Sequence, residues 1–356
     1  MAVLARKDSN VVADIVVSAM DAGHEPGVAI SLTGPKGDFR YAYGVAKDGW
    51  FTDKPLTLDH RMRIGSITKS FTATALLQQI DKGKLLLSDT LEKFIPGVPN
   101  GSQITVEHLM TMRSGVYDYA THPLIQAMVV AYPSFPFLHT STLVNLIKSH
   151  PSSFAPGTQY AYTNSNYILL GEILAKVTGR SAATTIEFDV IKPLGLSNTT
   201  SPSSATPPSP YAHGYSNRMF VGKGHLKDQT KVNPDLFGTA GLLTSTVGDL
   251  QKWAEYLKTD NLLFAPTHQL RTTNWYTPQP YPGEGPDHYE YGLGLVKFGT
   301  WIGHDGSVPG YSAVAFYDTE SGATFAGMEN LQTSGLAVFS RIFERIAEYL
   351  YPGSMA

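Results

Sequence analysis

The segment RIGSITKSF places Ser66 and Lys69 three residues apart. On a helix that spacing turns both side chains to one face. A serine hydroxyl is a weak nucleophile until a base lies within hydrogen-bond reach, and a lysine serves as that base when burial or a neighbouring cation lowers its pKa. If the pair opens a helix, the N–H groups of the first turn and the positive end of the helix dipole also favour a developing oxyanion. About one S-x-x-K arises by chance in a chain of this length, so other groups must converge on the pair before it means anything.

Two further segments offer such groups. In FAPGTQYAYTNSNYILLGEILAKVTG, Tyr162 and Asn164 form a Y-x-N on a loop entering a helix. A phenol there can relay protons between Ser66, Lys69 and a leaving group, and an amide can both donate to and accept from a substrate amide. The same residues also suit a helix N-cap at Asn164 or Ser165 with Tyr162 as half-buried packing. A second Y-x-N, Tyr215 to Asn217, has no helix behind it and is set aside. In GHDGSVPGY, His304, Asp305 and Gly306 end a strand rich in glycine and aromatic residues. Gly306 lets a substrate backbone lie alongside, and the N–H of Ser307 can pair with that of Ser66 as an oxyanion hole. His304 can hydrogen-bond Tyr162 as neutral imidazole or, when charged, depress its pKa. A His-Asp-Gly run also reads as a simple turn.

Several elements must hold these groups. The start of the chain, MAVLARKDSNVVADIVVSAM, reads as an amphipathic first helix rather than a signal peptide, because Arg6, Lys7, Asp8 and Asp14 interrupt its apolar stretches. GVAISLTGPKGDFRYAYGVA has hairpin periodicity around a turn. From Ser66 the period changes to that of a buried helix ending at Gly83. Helices are expected near Thr105 and through NYILLGEILAKVTG. The Pro/Ser-rich stretch Ser197 to Gly214 reads as a surface excursion, and a Pro/Gly loop spans Thr277 to Gly292. Strand periodicity returns in YGLGLVKFGTWIGHDG, YSAVAFYD and ATFAGMEN, followed by an amphipathic helix from about Ser334 to Leu350. The expected fold is α+β. Residues 1–65 and 241–356 build an antiparallel sheet flanked by helices, residues 66–240 form an inserted, mainly helical domain, and the active site lies in the cleft between them.

Composition narrows the chemistry. The chain has 356 residues, 42% hydrophobic and 16% charged, which is the profile of a folded globular protein. A net charge of -3 argues against nucleic acid and anionic membrane surfaces as partners. Zero cysteines exclude disulfides, thiolate metal sites and a cysteine nucleophile. No stretch reaches the roughly 20 apolar residues of a membrane span.

The three motifs, in this order and at these spacings, resemble the serine β-lactamase and penicillin-binding protein superfamily. Within it the chain is similar to the class C branch: class C β-lactamases, Streptomyces-type DD-carboxypeptidases, D-aminopeptidases, D-amino-acid amidases and family VIII esterases. The resemblance runs from about Gly27 to the last helix and includes ITVEHLMTMRSGVYDY, GTAGLLTSTVGDLQKW and YGLGL. It implies the β-lactamase/transpeptidase fold, Ser66 as acylated nucleophile, Lys69 and Tyr162 as general base and acid, and Asn164 as a contact to the substrate amide. His304, Gly306 and Ser307 would lie along the substrate-binding strand. It also implies a small-molecule or peptide substrate, a β-lactam as a further ligand, no cofactor, and an extracytoplasmic location.

Departures from the pattern sharpen the expectation. Class C β-lactamases generally carry Lys-Thr-Gly and Tyr-Ala-Asn where this chain has His304-Asp305-Gly306 and Tyr162-Thr163-Asn164. Streptomyces-type carboxypeptidases carry His-Thr-Gly and an arginine after Gly-Leu-Gly-Leu, both serving a terminal carboxylate. Here those positions are Asp305 and Val296, and strand alternation turns Lys297 to the opposite face. Two carboxylates ~4 Å apart repel by about 1 kcal/mol in water and more where water is excluded. The expected activity is therefore hydrolysis of a small amide, peptide or ester through acyl-Ser66, of D-amino-acid peptidase, amidase or esterase type. The alternatives are a penicillin-binding DD-carboxypeptidase or weak β-lactamase and, in another class, a catalytically silent binder of cell-wall peptides or proteins.

Overall fold

The computed structural model describes residues 2–47, 54–136, 138–216, 226–276, 289–332 and 338–356. Its main elements are α1 (Arg6–Gly23), β1 (Gly27–Thr33), β2 (Phe39–Lys47), β3 (Lys54–Pro55), α2 (Ile67–Asp81), α3 (Asn164–Thr178), α4 (Val247–Thr259), β4 (Tyr289–Tyr291), β5 (Val296–Phe298), β6 (Trp301–Val308), β7 (Tyr311–Asp318), β8 (Thr324–Glu329) and α5 (Val338–Leu350).

The strands form one eight-stranded sheet in the order β3-β2-β1-β8-β7-β6-β5-β4, with every neighbouring pair antiparallel. The expected hairpin is β1–β2, with Val28 opposite Tyr43 and Ile30 opposite Tyr41. On its other side β1 pairs with β8, Val28 opposite Glu329, and this joint closes the N- and C-terminal segments into one sheet. The fold is α+β, with helical segments inserted between the two groups of strands.

Every residue of β1, β7 and β8 is buried, so both faces of the sheet are covered. Adjacent residues of β8 show how. Thr324 takes a hydrogen bond from Gln251 of α4, whereas Phe325 meets Phe343 of α5 at 5.2 Å between ring centroids. Successive strand residues face opposite ways, so α4 and α5 lie on opposite sides. Phe316 stacks on the same Phe343 at 4.9 Å, and Trp301 meets it edge-on at 5.2 Å.

Helix α2 is buried from Ile67 to Gln79. It is packed between the sheet and α3, which explains its small residues, Ala73 and Ala75 among them, and its hydroxyls that fold back on their own helix, as in Thr72 Oγ1 to the Thr68 carbonyl at 3.1 Å. Phe71 stacks on Trp253 of α4, whose Nε1 donates to Ser70 Oγ at 3.0 Å. Further along, the short pairing of Met62–Arg63 with Thr244–Ser245 brings the loop ahead of α4 beside the start of α2.

The stretch from Ser197 to Gly214 corrects an expectation. It is not simply a surface excursion. Asn198 N–H and Thr199 Oγ1 both donate to the buried Asp249 carboxylate, at 2.7 and 3.1 Å, and the Ala205 carbonyl accepts from the buried Arg63 at 2.6 Å. A polar, proline-rich run has many backbone carbonyls and hydroxyls to offer, and here they help to satisfy two buried charges. Most of the expected loop from Thr277 to Gly292, Asn217 of the second Y-x-N, and the expected start of the last helix at Ser334 lie outside the described residues. Among the described residues no helix is long and apolar enough to cross a membrane.

Candidate active site

Ser66 stands at the N-cap of α2, but its side chain makes no capping bond. The hydroxyl instead accepts a hydrogen bond from Lys69 Nζ at 2.8 Å and lies within hydrogen-bond reach of the Tyr162 phenol. Gly65, immediately before it, has φ +50°, a left-handed conformation that costs glycine little. A Cβ at Gly65 would come within 2.8 Å of Ser307 N, and one at Gly306 within 2.1 Å of the Ile64 carbonyl and 2.8 Å of Ser66 N. The backbones at Ser66 and Ser307 thus lie against each other, which brings together two amides of the kind an oxyanion hole uses.

Lys69 is fully buried and has three acceptors: Ser66 Oγ at 2.8 Å, Asn164 Oδ1 at 2.8 Å and the Ala240 carbonyl at 3.0 Å. Burial pushes its amine down to about 7, against the opposing pull of the Asp305 and Asp118 carboxylates. Near neutrality a large fraction of Lys69 is therefore unprotonated and able to accept a proton. Tyr162 lies beside it, the Nζ 4.8 Å from the ring centroid. Burial raises the Tyr162 phenol well above its ordinary value, with the Ser66 hydrogen bond opposing, so it stays protonated and can donate. Neither Asn164 nor Ser165 is the N-cap of α3. Thr163 takes that role by accepting from Ser165 N–H at 3.1 Å, which frees Asn164 to accept from Lys69.

On β6 the pairing with β5 stops at Gly303, while the pairing with β7 continues to Val308. His304, Asp305, Gly306 and Ser307 therefore form a strand edge without a described partner strand on one side. Asp305 is 42% exposed there, and its charge acts on Lys69 and Tyr162. Lys297 offers it no compensation, since it pairs with Glu290.

The position of His304 corrects a second expectation. It does not hydrogen-bond Tyr162. The ring of Tyr291 stands between them, edge-on to Tyr162 at 5.8 Å and to His304 at 5.8 Å, and the Tyr291 hydroxyl lies 3.3 Å from His304 Nε2. Burial, with Lys69 alongside, pushes the imidazole down to about 3, so His304 stays neutral near physiological pH.

The motifs do not reveal Tyr291, nor the Ala240 carbonyl, Asp118, or the Tyr160–Tyr289 hydroxyl pair. The crowding of tyrosines in YAYTNSNY and YEYGLGL is the available signal. Gly294 of the second segment has φ +76° and lies against Ala73 and Tyr167, where a Cβ would come within 2.3 Å of the Ala73 methyl. A cavity of about 530 Å³ adjoins this cluster of residues. Asn164 and Ser307 line it together with Ile125, Val129, Leu236 and Phe237, and among the described residues no charged side chain does. Among the described residues no cluster of three metal-ligating side chains occurs.

A sequence profile of the family described as Beta-lactamase matches residues 12–347. Among solved structures, a D-stereospecific amidohydrolase from Streptomyces sp. is 30% identical, with 96% of this chain and 98% of that one covered at a TM-score of 0.81. The D-amino acid amidase from Ochrobactrum anthropi SV3, complexed with L-phenylalanine amide, is 25% identical, with 97% and 98% covered at a TM-score of 0.84. Penicillin-binding protein 4* of Bacillus subtilis (strain 168) is 24% identical over 80% of this chain and 63% of its own length. The chain spans between about half and two thirds of the length of that protein and of other curated relatives it matches. Because the profile runs through nearly all of the chain and the fold recurs in proteins matched over their full length, the chain belongs to the beta-lactamase family.

Proposed function

We propose that this protein is a serine hydrolase that works through an acyl-Ser66 intermediate on a small amide or peptide. The observation that carries the reading is the buried Lys69 amine, held near neutrality and 2.8 Å from Ser66 Oγ. Unprotonated Lys69 takes the Ser66 proton as Oγ attacks the carbonyl carbon. The amides of Ser66 and Ser307 receive the oxyanion. Tyr162 gives its proton to the departing nitrogen and recovers one from Lys69. Water then attacks the ester by the reverse proton path, releasing the acid and restoring Ser66. Asn164 holds Lys69 through Oδ1, which leaves its amide nitrogen for the substrate. In this reading residues 1–65 with 241–356 and residues 66–240 are the two domains that flank the cleft.

The largely apolar cavity, with no charged lining side chain among the described residues, suits a hydrophobic acyl side chain, and the D-amino acid amidase and D-stereospecific amidohydrolase relatives favour the D configuration. Asp305 and Asp118 surround the centre with carboxylates, so a substrate ending in a free carboxylate is disfavoured against an amide or a cationic group. A penicillin-binding carboxypeptidase is the second reading, supported by the likeness to penicillin-binding protein 4*. A β-lactam ligand and an extracytoplasmic location belong to that reading of the relatives too.

The test is intact-protein mass spectrometry after incubation with a fluorophosphonate and, separately, with a penicillin. An adduct on Ser66 that is lost in Ser66→Ala supports the hydrolase. No adduct with either reagent rejects it in favour of a silent binder. Comparing D- and L-aminoacyl p-nitroanilides, D-Ala-D-Ala peptides, p-nitrophenyl esters and nitrocefin then ranks the substrate classes.

A further inference from the structure

Behind the reacting groups, a chain of hydrogen bonds links β4 to the open edge of β6. His304 Nδ1 faces the carbonyl of Asp305 at 2.5 Å. A carbonyl only accepts, so this nitrogen carries the proton. In a neutral imidazole the other nitrogen is then an acceptor, and Nε2 meets the Tyr291 hydroxyl at 3.3 Å. Tyr291 is 0% exposed and His304 1%. Leaving Nε2 without a donor in such a place would forfeit a buried hydrogen bond.

The peptide following the clamped Asp305 carbonyl leads into Gly306 and Ser307. Among the described strands this stretch pairs only with β7, and it presses against Gly65 and Ser66. A strand with one free edge has half the ladder bonds of an interior strand. The imidazole adds a side-chain bond to the Asp305 carbonyl on this strand, and Tyr291 decides which nitrogen is available for it.

We propose that Tyr291 is a positioning residue: its hydroxyl donates to His304 Nε2, fixes the neutral Nδ1–H tautomer, and through the clamp on the Asp305 carbonyl keeps the Ser307 amide aligned with that of Ser66. The titratable groups packed about this pair are Lys69 from α2, Tyr160 and Tyr162 ahead of α3, Tyr167 on α3 and Asp305 on the same strand. Lys69 beside the imidazole also favours its neutral form. Tyr167 lies within hydrogen-bond reach of the Tyr291 hydroxyl, and its own hydroxyl stands 3.3 Å from the Met110 carbonyl; because Tyr291 has a single proton, donating it to His304 requires that its oxygen accept from Tyr167. The functional consequence rests on acyl-Ser66 chemistry, but the tautomer does not.

The experiment is nitrogen-15 NMR of histidine-labelled protein, with His304 assigned by the spectrum of His304→Gln, followed by steady-state kinetics. In the wild type His304 should carry its proton on Nδ1 and show no titration between pH 5 and pH 8. Tyr291→Phe should shift the Nε2 resonance, raise the His304 midpoint by about one pH unit through loss of a donor to the neutral form, and lower kcat by roughly tenfold with KM within about twofold. A wild-type His304 protonated on Nε2 overturns the proposal whether or not Tyr291→Phe folds. So does a folded Tyr291→Phe with unchanged His304 resonances and unchanged kcat. A confirmed Nδ1–H tautomer with the expected Tyr291→Phe resonance shift, in a protein that forms no Ser66 adduct, would instead reject the hydrolase reading while leaving the hydrogen-bond chain intact.

Discussion

The depressed pKa of Lys69 can be measured as stability. Its amine titrates at about 7 in the folded protein against 10.5 for an ordinary, solvated lysine. Below pH 7 both folded and unfolded chains hold the proton, so stability does not depend on pH through this group. Above 7 the folded chain has released the proton and the unfolded chain keeps it, so stability rises with pH until about 10.5. Lys69→Met removes this dependence. It also removes the hydrogen bonds to Ser66, Asn164 and Ala240, but that loss is largely independent of pH and drops out of the slope. One pKa unit corresponds to about 1.4 kcal/mol, so the unfolding free energy of the wild type should gain on that of Lys69→Met by about 2 to 3 kcal/mol between pH 6 and pH 9, most of it above pH 7. Denaturant unfolding of both proteins at pH 6, 7, 8 and 9 measures the gap. A gap that stays constant within about 0.5 kcal/mol, the error of such extrapolations, would show that Lys69 titrates in its ordinary range and refute the argument that burial prepares it as a base. The acid limb of kcat/KM reports the same group and should have its midpoint near 7.

Other perturbations test other parts of the site. Ser66→Ala should abolish turnover while leaving Tm within a few degrees, because a half-buried hydroxyl at the cleft contributes little to the core. Asp305→Thr should shift the ratio of kcat/KM for a matched free-acid and amide substrate toward the acid by about fivefold or more, the equivalent of about 1 kcal/mol of relieved repulsion, and an unchanged ratio means that Asp305 does not meet that end of the substrate. Gly306→Ala should block acylation, since its methyl would fall 2.1 Å from the Ile64 carbonyl, and normal acylation by a folded variant would disprove the close approach. Just ahead of β1, burial raises the Glu25 carboxyl to about 7, opposed by its hydrogen bond with Glu329. Here the folded chain holds a proton that the unfolded chain loses near 4.5, so stability falls as pH rises from 4.5 to 7, and Glu25→Gln should gain on the wild type across that range by a margin on the order of a few kcal/mol. The gain is opposite in sign to that at Lys69, and its absence would mean that the Glu25–Glu329 pair ionises normally.

Much of the molecule is legible in the order of its residues. The hairpin, α2, α3 and the sheet-forming segments follow from hydrophobic period and from glycine punctuation, both local properties of the chain. Ser66, Lys69, Tyr162, Asn164 and the His304 to Ser307 edge are recognisable as candidates because each motif is short and falls at the end of an element. What tertiary structure alone decides is what those groups are. The Ala240 carbonyl that Lys69 bonds is 171 residues away along the chain, and the burial that lowers its amine is the sum of many elements closing around it. His304 invites pairing with Tyr162, and only the register of β4, β5 and β6 brings Tyr291 between them. Period and spacing are carried by neighbours in sequence, whereas desolvation, tautomer and strand-edge exposure depend on which distant segments exclude water from one point, and this is settled only when the chain has packed.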